Sequence, residues 1–91
     1  ILTFSNDDEG YEEWHRENES GFVFNHYGGT DASKDMNKLH QSDCRYLHRK
    51  QDEGKRTTAY PKICSSDLRE LEAHLVQLRG SSWVYCKNCH N

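Results

Sequence analysis

Two short spacings most constrain how this chain can fold: a pair of thiols in Cys86-Lys87-Asn88-Cys89, and a histidine and a thiol in His40-Gln41-Ser42-Asp43-Cys44. The CxxC spacing lets a tight turn aim two thiolates at one ion while backbone amides stabilise their charge. The HxxxC spacing puts both side chains on one side of a helical turn. Together, His40, Cys44, Cys86 and Cys89 form a three-cysteine, one-histidine set of the kind that holds tetrahedral zinc. Filling such a site requires the middle of the chain to fold back against residues 86 to 89. Membership stays open at this level, because Cys64 can replace His40 in an all-cysteine set, and His48 and His90 compete for the same position.

The rest of the composition makes such a staple necessary. Leu, Ile, Val and Phe supply only 15 of the 91 residues, while 30% are charged. Each large apolar side chain contributes about 1.5–3 kcal/mol when buried, against an ordering cost of about 1.5 kcal/mol for every residue fixed. A structural zinc site contributes on the order of 10–16 kcal/mol at neutral pH, which exceeds the shortfall. Disulfides are the weaker alternative. Four cysteines allow three pairings, yet each thiol of the CxxC would need a distant partner. The string continued to His90 also satisfies the CxxCH of covalent haem attachment, with Met36 as the sole thioether for an axial position. A haem, however, needs a larger apolar wall than this chain provides. A thioredoxin-like use is not expected, since that motif opens a helix after a strand and only His90 and Asn91 follow it in this sequence.

Periodicity predicts an α+β domain: a small zinc-stabilised fold with a short antiparallel sheet of three to four strands, packed with an N-terminal and a C-terminal helix. Asn6 or Asp7 is expected to cap a first helix running to about Asn18, with Glu9 completing a capping box after Asn6 and Tyr11 and Trp14 on its buried face. A strand follows over 21–27, closed by Gly28-Gly29, with Phe22 and Phe24 facing one way and Val23 and Tyr27 the other, so that both faces are covered. Residues 30–35 read as a loop, 36–40 as a short strand, and 51–58 as an exposed tip. A strand over 59–64 is confined to an edge or bulge by Pro61. Ser66 or Asp67 caps a helix with Leu68, Leu71, Leu75 and Leu78 on one face and Gly80 as its stop. A last strand over 82–86 places Trp83 and Tyr85 together. Residues 1–91 read as one zinc-binding domain, and the start at Ile1 leads us to expect a segment of a longer protein.

Charge is unevenly distributed. Residues 1–33 carry eight acids against Arg16, a balance of −7, whereas residues 34–62 balance at +4. This asymmetry points to a surface that faces a polyanion. Lys34, Lys38, Arg45, Arg49, Lys50, Lys55 and Arg56 are the candidate DNA contacts, positioned to meet phosphate. Trp14, Phe22, Phe24 and Trp83 are expected in the core, leaving Tyr27, Tyr46 and Tyr60 freer to meet bases. GxSxG, a Gly-rich phosphate loop and HExxH are all absent, and a four-ligand shell has no open position for hydrolysis. No catalytic residues are therefore assigned, and any catalysis is expected in a module outside residues 1–91. There is no apolar run of membrane-spanning length and no leader pattern. With thiols reserved for a metal, this leads to the expectation of a cytoplasmic protein.

The order of these features resembles small zinc-binding domains attached to bacterial restriction-type or mobile-element endonucleases of the HNH and GIY-YIG kinds. The features are an acidic helix with Trp14, then Gly21-Phe22-Val23-Phe24-Asn25, then Leu39-His40-Gln41-Ser42-Asp43-Cys44, then Tyr60-Pro61-Lys62-Ile63-Cys64, a leucine helix and a closing CxxC. The resemblance implies a DNA-binding accessory domain, extending to recognition of a modified base, that works beside a covalently linked nuclease module. The acidic first third departs from what a DNA binder ordinarily carries. The alternative is a protein-protein adaptor in which the acidic helix docks a partner and zinc is only a staple. Lys55 and Arg56 lying on the same side as Arg45 and Arg49 favours DNA, and their dispersal favours the adaptor.

Overall fold

The computed structural model describes residues 1–27, 34–47, 49–58 and 60–89. Its elements run β1 (Leu2–Phe4), α1 (Asp8–Glu17), β2 (Phe22–Asn25), β3 (Lys38–Gln41), β4 (Lys62–Ser65), α2 (Leu68–Arg79) and β5 (Val84–Tyr85), with 3-10 turns at Lys34–Met36 and Lys50–Asp52. The strands form one five-stranded sheet in the order β1-β4-β2-β3-β5. All neighbours are antiparallel except β3 and β5, which run parallel through Lys38↔Val84 and Leu39↔Tyr85. The α+β class stands, but the sheet has five strands rather than three or four and is mixed rather than antiparallel.

Alternation along β2 divides the core in two. Val23 faces α1 in a cluster with Tyr11, Cys44, Leu47, Cys64 and Cys86. Phe24 faces α2 in a cluster with Leu39, Ile63, Leu71 and Leu75. Both residues are fully buried, so the strand is covered on both faces as its sequence indicates. Gly21 admits the chain to this strand. A Cβ there would meet the Trp14 ring at 3.0 Å and the Asn18 and Ser65 carbonyls at 3.2 Å.

Both helices carry the expected caps, with one shift. Asp7, not Asn6, caps α1, its carboxylate accepting from the Gly10 N–H at 2.9 Å, while Asn6 adopts a left-handed φ of 52°. A residue in that conformation turns the chain into the helix rather than capping it. Asp67 caps α2 by accepting from the Arg69 and Glu70 N–H groups, and Gly80 ends the helix at φ 63°. Leu71 and Leu75 are fully buried, but Leu78 is 36% exposed. The buried face continues at four-residue steps from Leu71 and Leu75 to Arg79, which is 5% exposed, so Leu78 lies beside that face rather than on it.

Two differences concern β4. Pro61 lies just outside the strand, and β4 sits between β1 and β2 rather than at an edge. Proline excludes only a ladder N–H at its own position, and the Pro61 carbonyl still accepts from the His26 N–H at 3.0 Å. β1, which the sequence reading omits, covers the other side of β4 through Leu2↔Cys64, Thr3↔Ile63 and Phe4↔Lys62. Gly28-Gly29, positions 30–33, Ala59 and the competing ligands His48 and His90 lie outside the described residues. No helix among the described residues is long and apolar enough to cross a membrane.

Candidate metal centre and adjoining cavity

β3 delivers the first ligand. His40 pairs with Val23 and so projects from the α1 face of the sheet. The chain then turns at 42–43, closed by a 3.0 Å bond from the Cys44 N–H to the Gln41 carbonyl, which brings Cys44 under His40. β5 delivers the other pair, because its parallel register and a 2.9 Å bond from the Cys86 N–H to the Leu39 carbonyl anchor the CxxC turn beside β3. The donor atoms of His40, Cys44, Cys86 and Cys89 all lie within 4.8 Å of one another. The Cys44 and Cys86 sulfurs are 3.9 Å apart, close to the roughly 3.8 Å separation that tetrahedral metal–sulfur bonds of about 2.3 Å impose. These four residues can hold a metal ion.

Their surroundings suit that role. His40, Cys44 and Cys86 are buried, Cys89 is partly buried, and all four cysteines of the chain are free thiols. The Gln41 N–H donates to the Cys89 sulfur at 3.3 Å. Burial opposes ionisation of Cys86, but backbone N–H groups of Asn88 and Cys89 and the neighbouring thiols outweigh it and hold its thiol below the ordinary range. Burial, reinforced by the adjacent Cys44 and Cys86 sulfurs, pushes Cys89 up to about 12. Several thiolates in one pocket repel each other unless a cation joins them, and a divalent ion removes that conflict. His15, on α1, hydrogen-bonds through Nε2 to the Ser42 carbonyl and so fixes the HxxxC turn from behind.

Cys64, the alternative ligand, is not in the cluster. It sits in the middle of β4, fully buried, opposite Leu2 and Val23. Burial pushes its thiol up to about 12, so it behaves as a small apolar group.

The basic residues divide into two kinds. Lys34, Lys38, Arg45, Arg49, Lys50 and Lys55 are exposed. Arg56 is different. Its guanidinium pairs with Glu12 at 2.9 Å and donates to the Arg49 carbonyl at 3.1 Å, so much of its hydrogen-bonding capacity is already used inside the protein. Arg49, Lys55 and Arg56 line one cavity of about 340 Å³, with Asp52, Tyr46, Tyr60 and Lys62. Arg49 pairs with Asp52 at 3.1 Å. Arg45 adjoins this group, its guanidinium 5.1 Å from the centre of the Tyr46 ring and 3.2 Å from its hydroxyl. Three of the candidate DNA contacts thus share one cavity with Tyr46, on which a fourth, Arg45, packs. His40 and Leu47 also border the cavity, so the metal turn forms part of its wall.

Sequence reasoning missed Lys62 and Asn25, which face each other across β4 and β2. The Lys62 ammonium donates to the Asn25 carboxamide oxygen and is 8% exposed. Burial lowers its pKa to about 8, against partial relief from Asp52. The available signal was a lysine opening a strand, Lys62-Ile63-Cys64-Ser65, that is buried on both faces. The sign of its effect on stability follows. Between pH 8 and the ordinary lysine value of 10.5 the unfolded chain holds a proton that the folded chain has released, so stability contributed here rises with pH across that window and is lowest below it. Lys62→Met is expected to stabilise the protein by about 1–3 kcal/mol at pH 7. In urea melts at pH 7 and pH 10, that advantage should shrink at the higher pH. A methionine variant less stable than wild type at pH 7 contradicts the assignment.

No protein-family model, no curated protein and no solved structure matches this chain.

Proposed function

We propose that this chain is a zinc-stabilised DNA-binding module that serves as an accessory domain of a nuclease or restriction system, with catalysis carried out by a separate module. The observation that carries this reading is the grouping of Arg49, Lys55 and Arg56 around one cavity beside Arg45, against the turn that His40 and Cys44 anchor. Exposed cations on one rim meet successive phosphates, and aromatic side chains among them meet bases. Three soft thiolates and one imidazole in a closed tetrahedral arrangement select zinc and leave no position for a substrate. The metal's role is then to hold the basic turn against β5.

The internal use of the acidic helix supports DNA over an adaptor. Asp8 accepts from the Arg56 and Thr57 N–H groups, and Glu12 pairs with Arg56. Part of the negative charge that argued against a nucleic-acid partner therefore neutralises the protein's own basic segment.

The test is a titration of a short duplex at several salt concentrations. If Arg45, Arg49, Lys50 and Lys55 each neutralise one phosphate, log K falls with log salt at a slope of about −3.6, roughly a hundredfold between 50 and 200 mM. Lys55→Glu is expected to flatten the slope by about one unit or more. Binding that is absent, or indifferent to salt, rejects the reading.

A further inference from the structure

Phosphate contacts leave Lys62 unexplained. It is more than nine-tenths buried, lines the cavity, and among the described residues makes no ion pair. An ammonium withdrawn from water with only partial relief from the nearby Asp52 is costly to keep, and an acceptor on a ligand would complete its hydrogen bonds. One of its three N–H donors goes to the oxygen of Asn25, which also lines the cavity and carries a further donor in its amide nitrogen. The inner end of the cavity thus presents donors. Its side carries Tyr60, whose ring packs at 4.7 Å on Tyr27 and is held from that side as a platform. Its mouth carries Arg49 and Lys55, both exposed. The volume of about 340 Å³ lies at the small end of the range for small-molecule sites.

We propose that this cavity binds a single nucleotide unit, its base laid against Tyr60 with its acceptor edge on Lys62 and Asn25, and its phosphate at the mouth on Arg49 and Lys55. The Lys62 ammonium and the Asn25 amide N–H as neighbouring donors favour guanine, which offers two adjacent acceptors, over adenine, which sets a donor beside one. The nucleotide is either free or a residue extruded from a DNA strand. The second source rests on the DNA-binding reading above, and the binding site itself does not.

The experiment titrates the metal-loaded protein with dGMP, dAMP and inorganic phosphate by calorimetry, then with a fully paired duplex and the same duplex carrying one unpaired guanine. The expected result is dGMP binding about tenfold or more tighter than dAMP, with inorganic phosphate weaker still. Lys62→Met should weaken dGMP binding by about tenfold or more. Tyr60→Leu, which leaves the buried lysine in place, should weaken it several-fold, and Arg69→Ala, an exposed cation on α2 outside the cavity lining, should leave it unchanged. A gain for the unpaired guanine that disappears in Lys62→Met assigns the source as DNA, and dGMP binding without that gain assigns a free nucleotide. Failure of dGMP to bind, equal affinity for inorganic phosphate or dAMP, or wild-type affinity in both cavity variants overturns the proposal. Salt-dependent duplex binding without dGMP binding removes the cavity assignment alone. The reverse result removes the DNA reading and leaves the cavity standing.

Discussion

Cys44→Ser or Cys86→Ser is expected to abolish stoichiometric metal and with it the cooperative unfolding transition, while Cys64→Ala keeps both. The contrast follows from position. Cys44 and Cys86 put their sulfurs 3.9 Å apart in a buried cluster with His40 and Cys89, whereas Cys64 is packed in the centre of β4 outside that cluster. The magnitude follows from the core. Among the described residues eleven apolar ones are buried, three of them cysteines, so little opposes chain entropy once the ion is gone. A structural zinc worth on the order of 10–16 kcal/mol is comparable to the entire stability of an ordinary domain. Strong chelator should therefore convert the protein to an expanded chain, and Cys64→Ala should cost only the few kcal/mol typical of a buried truncation. Elemental analysis with circular dichroism in chelator checks this. A chain that remains compact without metal removes the foundation of the assignment.

Asp8→Ala is the second large effect. A single carboxylate accepts from the Arg56 N–H at 2.7 Å, the Thr57 N–H at 2.7 Å and the Thr57 hydroxyl at 2.6 Å. Thr57 is fully buried, and its carbonyl and hydroxyl in turn accept from the Asn6 and Asp7 N–H groups. Removing the carboxylate strands several donors at once, at an expected cost of about 2–4 kcal/mol in a denaturant melt. Burial acts to raise the pKa of Asp8, but the Thr57 and Arg56 contacts outweigh it and hold the carboxyl below its ordinary value of 3.8. With the folded value depressed, this stabilisation is complete above the unfolded value and is lost as pH falls through the folded one. Wild type should thus lose its advantage over Asp8→Ala only in strong acid. Because Arg49, Asp52, Lys55 and Arg56 line the cavity, the variant should also bind duplex more weakly under folded conditions. A stability difference below about 0.5 kcal/mol sinks the account of the clasp.

These two sites differ in how far they could be read beforehand. The metal cluster was legible because CxxC and HxxxC are local spacings whose chemistry does not depend on the fold. Thiolates in those patterns have few other uses, and the fold had only to bring the two pairs together. Choosing His40 over Cys64 was not legible. Both residues precede or follow apolar runs, and the choice depends on which strand lies beside β5. Arg56 illustrates the same limit. It is one of eight cations in the basic middle of the sequence, and nothing near it in the chain announces that Glu12, forty-four residues earlier, occupies its guanidinium.

Taken alone, the sequence determined the leucine helix with a cap at Ser66 or Asp67 and its Gly80 stop, the two-sided burial of Phe22-Val23-Phe24, and the pairing of the HxxxC and CxxC spacings as candidate metal ligands. Each depends on helical or strand period, on a cap, or on a spacing within five residues, and such signals survive without knowledge of distant partners. The tertiary structure alone decided the central place of β4, the parallel attachment of β5, the clasp of Asp8 on Thr57 and the cavity floored by Lys62 and Asn25. These depend on pairings between strands of two to four residues. Segments that short carry almost no period of their own, so their partners are selected by the burial and hydrogen bonding of the whole chain.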